Sequence, residues 1–161
     1  MKSGSETFVV FNLIYFTIGR LAALQYKSVS QSSVPGKRVN SVDASWAVDG
    51  DPYTFTVTED GVNNYWKITF DSERTFSCFT ILIKPGQYSL SVHTDDELEL
   101  YCTRFSLNTL HLSNNITKCC FKQLKGKSLT LARTNQGDLR LYEFSFKGLK
   151  LFMVAFVKDI V

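Results

Sequence analysis

Histidine is scarce in this chain, as are proline and tryptophan. Two histidines (His93 and His111), neither beside a cysteine, and the lack of any Cys-x-x-Cys pair exclude the usual zinc patterns. Three prolines and nine glycines exclude a collagenous or low-complexity chain. No apolar run reaches the roughly twenty residues that a membrane-crossing helix needs, so no transmembrane segment is expected. Charge of one sign is also missing. The 18 Lys and Arg stand against 15 Asp and Glu, a formal net of +3, and the basic residues are scattered. A nucleic acid backbone would find no continuous basic track, so no nucleic acid partner is expected.

Catalytic patterns are equally thin. Lys125-Gly126-Lys127-Ser128 ends like a phosphate-binding loop, but Phe121 stands where that loop needs its first glycine. Asp95-Asp96-Glu97 is an acidic run in a polar stretch and reads as a solvated loop. Two histidines among many Ser and Asp make no triad without a nucleophile motif. The chain is not expected to be an enzyme.

What is present points to a packed domain. The chain has 161 residues, 44% of them hydrophobic and 20% charged, with 13 Phe and 7 Tyr. That is the size of one domain with a sizeable core. At the N-terminus, Lys2 precedes an eleven-residue apolar run over 8–18, and Leu21-Ala22-Ala23 follows with a small residue at a cleavage point. Residues 1–23 therefore read as a signal peptide, the alternative being a buried first strand or helix. A secreted, extracellular location follows. Asn115-Ile116-Thr117 is a glycosylation sequon in the polar stretch 112–118, which reads as a loop. Cys78, Cys102, Cys119 and Cys120 are an even number, and an oxidising compartment would let them pair in any of three ways. Cys119 and Cys120 point to opposite faces if they lie on a strand, so each has its own partner or one stays free.

The body reads as all-β. Tyr65-Trp66-Lys67-Ile68-Thr69-Phe70 alternates, with Trp66, Ile68 and Phe70 on one face. Residues 76–84 form a near-continuous run of β-formers, expected to be buried on both faces. Residues 98–107 (with Leu98, Leu100 and Cys102 on one face), 128–133 and 139–147 are further strands, separated by Gly-, Pro- and Asp-rich turns. Leu139 and Leu141 share one parity, Phe144 and Phe146 the other. If all four face the core, a β-bulge lies at Tyr142-Glu143. The alternative is a strand with apolar residues on both faces.

Four segments resemble the discoidin-type and fucolectin-type domain family. Residues 25–33 (QYKSVSQSS) resemble its opening strand, and Ala47-Val48-Asp49-Gly50-Asp51 its A-[IV]-D-G-[ND] turn. Residues 65–70 (YWKITF) resemble its W-W-x-V-D-L strand, and residues 139–148 (LRLYEFSFKG) its closing L-x-L-C-E-V-E-V-x-G strand. They occur in family order and place the domain at 24–148. The resemblance implies an eight-stranded antiparallel jelly-roll β-sandwich, galactose-binding-domain-like, with binding loops at one end. Residues 149–161 form an apolar tail beyond the last family strand, read as a docking tail or a truncated chain end.

In the fucolectin branch this resemblance implies a structural calcium. Asp49 and Glu143 would supply carboxylates, Trp46, Asp51 and Tyr142 backbone carbonyls, and Thr54 a hydroxyl. The family's fucose grip is not carried over. Val57 stands at its histidine position, and no arginine lies in Lys84-Pro85-Gly86-Gln87-Tyr88, where its arginine loop begins. Tyr53, Phe55 and Tyr88 are the candidate apolar platforms for another sugar. The function expected is a secreted or cell-surface recognition module that binds extracellular glycan or glycoprotein. The alternative is a structural or adhesive fragment of a larger receptor ectodomain with a degenerate sugar pocket.

Overall fold

The computed structural model describes residues 25–36, 43–108 and 114–147. The expected signal peptide (1–23) and apolar tail (149–161) lie outside the described residues. Among the described residues there are seven strands, against the eight that the resemblance implies: β1 (Ser28–Gln31), β2 (Thr56–Val57), β3 (Tyr65–Ile83), β4 (Gly86–His93), β5 (Glu99–Leu107), β6 (Asn114–Arg133) and β7 (Arg140–Lys147). One short 3-10 helix, Ala44–Val48, precedes β2. All strand pairings among the described residues are antiparallel.

Two long strands, β3 and β6, belong to both layers. Their ladder breaks twice: residues 70–73 of β3 bulge opposite Lys127, and residues 120–123 of β6 bulge opposite Ser77. Bulges bend a strand and let it leave one sheet for another. On one side of the breaks the order is β1, β3, β6, β4, β5. On the other side it is β2, β7, β3, β6. The parity of the core follows the break. Trp66, Ile68, Phe70 and Phe76 are buried on even positions, then Phe79, Ile81 and Ile83 on odd ones. The two faces meet in a cluster of rings, with Trp66 5.2 Å from Phe144 and Phe70 5.6 Å from Phe146. The chain is a jelly-roll sandwich, as its sequence implies.

Several expectations need correction. The segment 76–84 is not buried on both faces, because its alternate residues Thr80 and Leu82 are only half-buried. Leu98 is exposed rather than aligned with Cys102. The sequon is not in a loop: Asn115 lies on β6 opposite Leu82, with its side chain exposed. Strand β4 escaped the sequence reading altogether. Its buried Tyr88, Leu90 and Val92 alternate with serines, a period-two signal that Pro85-Gly86 masks as a turn. Lys125 to Ser128 lie within β6, and Gly126 serves a close approach. A Cβ there would collide with the His93 carbonyl. The acidic run forms the exposed turn between β4 and β5, where Asp95 pairs with Lys127 at 2.7 Å.

All four cysteines are paired. Cys78 and Cys119 face each other across β3 and β6 and form one disulfide; Cys102 of β5 joins Cys120 in the other. The opposite faces of Cys119 and Cys120 thus send them to separate partners. The second bridge fastens β5 to the bulged part of β6, where β3 offers little ladder.

Candidate functional site

The site begins with a short helix anchored at its N-terminus. Asp43 Oδ1 accepts from the Ser45 N–H at 2.8 Å and caps it. The indole N–H of Trp66 donates to the Ala44 carbonyl at 2.8 Å, tying the helix to the centre of the core. Ala47 is fully buried beneath it. The chain then turns at Gly50, whose φ of +80° is left-handed and suits glycine. The turn lets Asp49 Oδ1 accept from the Asp51 N–H at 2.8 Å, and Asp51 Oδ1 accept from the Tyr53 N–H at 2.9 Å.

These turns gather oxygens around Thr54. Its hydroxyl lies 2.8 Å from Asp49 Oδ2, 2.9 Å from the Asp51 carbonyl and 3.4 Å from the Trp46 carbonyl. A hydroxyl has one proton to give, and all three neighbours only accept. At least two of these oxygens therefore face Thr54 without a proton between them.

Glu143 meets this cluster from β7. The β3–β7 register jumps from Leu82↔Glu143 to Ile83↔Leu141, leaving Tyr142 without a partner on β3. This is the bulge that the parity of β7 demands. Leu139, Leu141 and Phe144 are buried, and Phe146 packs against Phe70, Phe76 and Phe79. The Glu143 carboxylate accepts from the Gly50 and Phe144 backbone N–H groups, yet its Oε2 is buried with no partner. Burial pushes its pKa up to about 7, with the Asp49 charge adding to the rise and Asp51 contributing less. The two N–H donors pull the other way and do not offset it.

Four of the six sequence-derived residues, Trp46, Asp49, Asp51 and Thr54, thus meet in one cluster. Glu143 is coupled to it by hydrogen bond and charge, and Tyr142 is the bulged residue beside it. Among the described residues no three His, Cys, Asp or Glu side chains gather as a metal cluster. The donor set here is two carboxylates with carbonyls and a hydroxyl, a set suited to a hard cation that takes oxygen ligands.

The three apolar candidates part company. Tyr53 is 90% exposed on the turn. Phe55 is half-buried, with its ring 5.4 Å from Tyr142 and the Arg140 guanidinium 5.2 Å above it. Tyr88 is fully buried, and its hydroxyl donates to the Lys84 carbonyl at 2.7 Å. Burial pushes the phenol up to about 12 despite the Arg133 charge nearby. Tyr88 is a core residue and no platform; its alternation with Leu90 and Val92 carried that signal.

Sequence reasoning missed a cationic group beside Phe55. Asp138 Oδ1 lies 2.7 Å from Lys84 Nζ, and Oδ2 lies 3.4 Å from an Arg140 guanidinium nitrogen. Arg133, nearly buried, lies 4.0 Å from Asp138 Oδ1, donates to the Asp138 carbonyl and holds Asn135 at 3.2 Å. Burial raises the Asp138 pKa, but the hydrogen bond and charge of Lys84, then Arg140 and Arg133, hold it below the usual carboxylate range. These residues come from two connections distant in the sequence, β3–β4 for Lys84 and β6–β7 for the rest, so no single local motif contains them.

No family model matches the sequence, and no curated protein matches it. Solved structures do resemble the fold. The family 32 carbohydrate-binding module of Clostridium perfringens NanJ, in complex with galactose, is 15% identical. The match covers 73% of this chain and 90% of that one, with a TM-score of 0.61. Chitosan-binding module 2 of a chitosanase/glucanase from Paenibacillus sp. IK-5, in complex with chitotriose, is 18% identical over 75% and 95%, with a TM-score of 0.60. A fucolectin from striped bass (Morone saxatilis) serum is 16% identical over 77% of this chain and 47% of that one, with a TM-score of 0.64. The chain has the galactose-binding-like jelly-roll fold of these domains.

Proposed function

We propose that the chain is a carbohydrate-binding, lectin-like module whose binding end is organised by one structural calcium ion. The observation that carries the reading is the unpartnered Oε2 of Glu143 beside the oxygen cluster of Asp49, Thr54 and the Trp46 and Asp51 carbonyls. A calcium ion would be held by these groups, with the bulged Tyr142 carbonyl as a further ligand. It supplies the positive charge that two facing carboxylates lack. The same turn carries Tyr53 and Phe55, so fixing it would set the aromatic rings against which a sugar stacks. The fold of galactose- and chitotriose-bound modules supports this reading. The module is a binder rather than an enzyme, and its two disulfides suit a secreted, extracellular domain carrying glycan on Asn115.

A glycan array probed with the whole chain in calcium tests the function. Retention of any glycan, lost with Phe55→Ala, supports it. No retention by a folded, calcium-loaded protein would favour the receptor-fragment alternative, with a degenerate pocket. Fucose is not expected among the ligands, since Val57 and the β3–β4 turn lack the family's donors.

The carboxylate pair also has a pH signature in chelator. The folded, ion-free protein keeps a proton on Glu143 up to about pH 7, whereas the unfolded chain loses it near the ordinary glutamate value of 4.5. The folded state then holds more protons between those values, so stability should fall as pH rises through the window. Glu143→Gln should flatten that slope. Melting curves with no such slope would contradict the unpaired buried carboxylate.

A further inference from the structure

We infer that the sugar recognised is acidic, its anionic group held by Arg140 and Lys84 while its ring lies on Phe55 and Tyr142; this rests on the carbohydrate-binding reading above. The two cations are fixed side by side by the backbone, because the Lys84 N–H donates to the Arg140 carbonyl at 3.1 Å. Both side chains remain about 40% exposed, at 39% and 38%. They share one carboxylate, Asp138, which Arg133 also approaches. Three cations on one acid leave positive charge uncompensated.

The third cation is committed elsewhere. Arg133 is 9% exposed and bonded to Asn135 and the Asp138 carbonyl. Gly137, with a φ of +136°, packs so tightly on its guanidinium that a Cβ would overlap it. Arg133 therefore braces the turn and leaves Lys84 and Arg140 to face a ligand. Arg140 Nε is buried without a hydrogen-bond partner, so the donors that can meet a ligand are those on the terminal nitrogens of its partly exposed guanidinium.

The aromatic half of the site lies on the same strip. Arg140 and Tyr142 share one parity of β7, opposite to the buried Leu139 and Leu141, and Phe55 packs between them. A pyranose ring resting on these aromatics would carry a carboxylate or sulfate toward the Arg140–Lys84 pair. A neutral sugar would leave those charges without a ligand partner. Phe55 directly follows Thr54, so the strip depends on the turn that calcium is proposed to fix.

The test uses the full chain in saturating calcium on an array of uronate- and sialate-terminated, sulfated and neutral glycans. Acidic glycans should be retained above neutral ones, and Arg140→Gln and Lys84→Gln should each lower that retention roughly tenfold, as loss of a charge-assisted contact does. The ratio of acidic to neutral retention should fall in both variants. The carboxylated and sulfated arms separate the two sources of the anion, and retention in either supports the inference. Equal retention of acidic and neutral glycans, or acidic retention indifferent to both substitutions, overturns it and leaves the lectin reading standing. If no glycan at all is retained, the lectin reading fails with it. A melting curve for each variant confirms that folded protein was compared.

Discussion

Replacing Cys78 and Cys119 by alanine is expected to cost about 4 kcal/mol of stability. Replacing Cys102 and Cys120 should cost about 3 kcal/mol. The values follow from the loop entropy that each bridge removes from the unfolded chain, for separations of 41 and 18 residues. A domain of this size has only about 5–15 kcal/mol in total, so losing both bridges should leave little or no folded protein at body temperature. The first pair closes the larger loop and locks the β3–β6 register immediately beyond the second bulge. The second holds the bulged residues 120–123 of β6, which have no ladder partner on β3. Denaturant midpoints of the two double variants should fall in that order. Unchanged midpoints under a reductant would show that neither bridge constrains the unfolded chain.

Calcium should have an effect of similar size, with opposite signs in its presence and absence. If the proposed ion binds the folded site and not the unfolded chain, it should add about 2.7 kcal/mol at a hundred times its dissociation constant. Asp49→Ala and Glu143→Ala should each abolish that gain. Glu143→Gln should be less stable than the parent in calcium, where it removes a ligand. In chelator at neutral pH it should equal or exceed the parent, because it removes a carboxylate whose Oε2 has no partner. Magnesium should substitute poorly, since a carbonyl-rich site does not readily form its compact octahedron. If Asp49 only shaped the turn and Glu143 were merely solvated, melting curves in calcium and in chelator would coincide.

The sequence carried the fold wherever side chains alternate against a buried face. Trp66, Ile68 and Phe70 were legible for that reason. The change of parity between Leu141 and Phe144 left open a bulge or a strand apolar on both faces, and the β3–β7 register decides for the bulge. Legibility failed where a strand crosses between sheets. The first half of β6 is an outer strand with many polar, exposed residues, so it reads as a loop. Strand β4 hides its core residues among serines. The oxygen cluster around Thr54 was legible as a local turn, with Glu143 joined to it across the sheet. The Lys84–Asp138–Arg140 group was not, because its members are brought together only by the β3–β7 pairing and the turn that Arg133 braces.

Asp49, Thr54 and Glu143 are proposed to form one cation site. Calorimetric titration of calcium into chelator-treated protein, at neutral pH, tests it most directly. One ion per chain should bind with release of the proton that Glu143 holds at its raised pKa, so the measured heat should vary with the ionisation enthalpy of the buffer. Glu143→Gln should remove the proton release and weaken or abolish binding. No saturable heat from the folded parent, or binding that is unaltered in both Asp49→Ala and Glu143→Gln, would contradict the account.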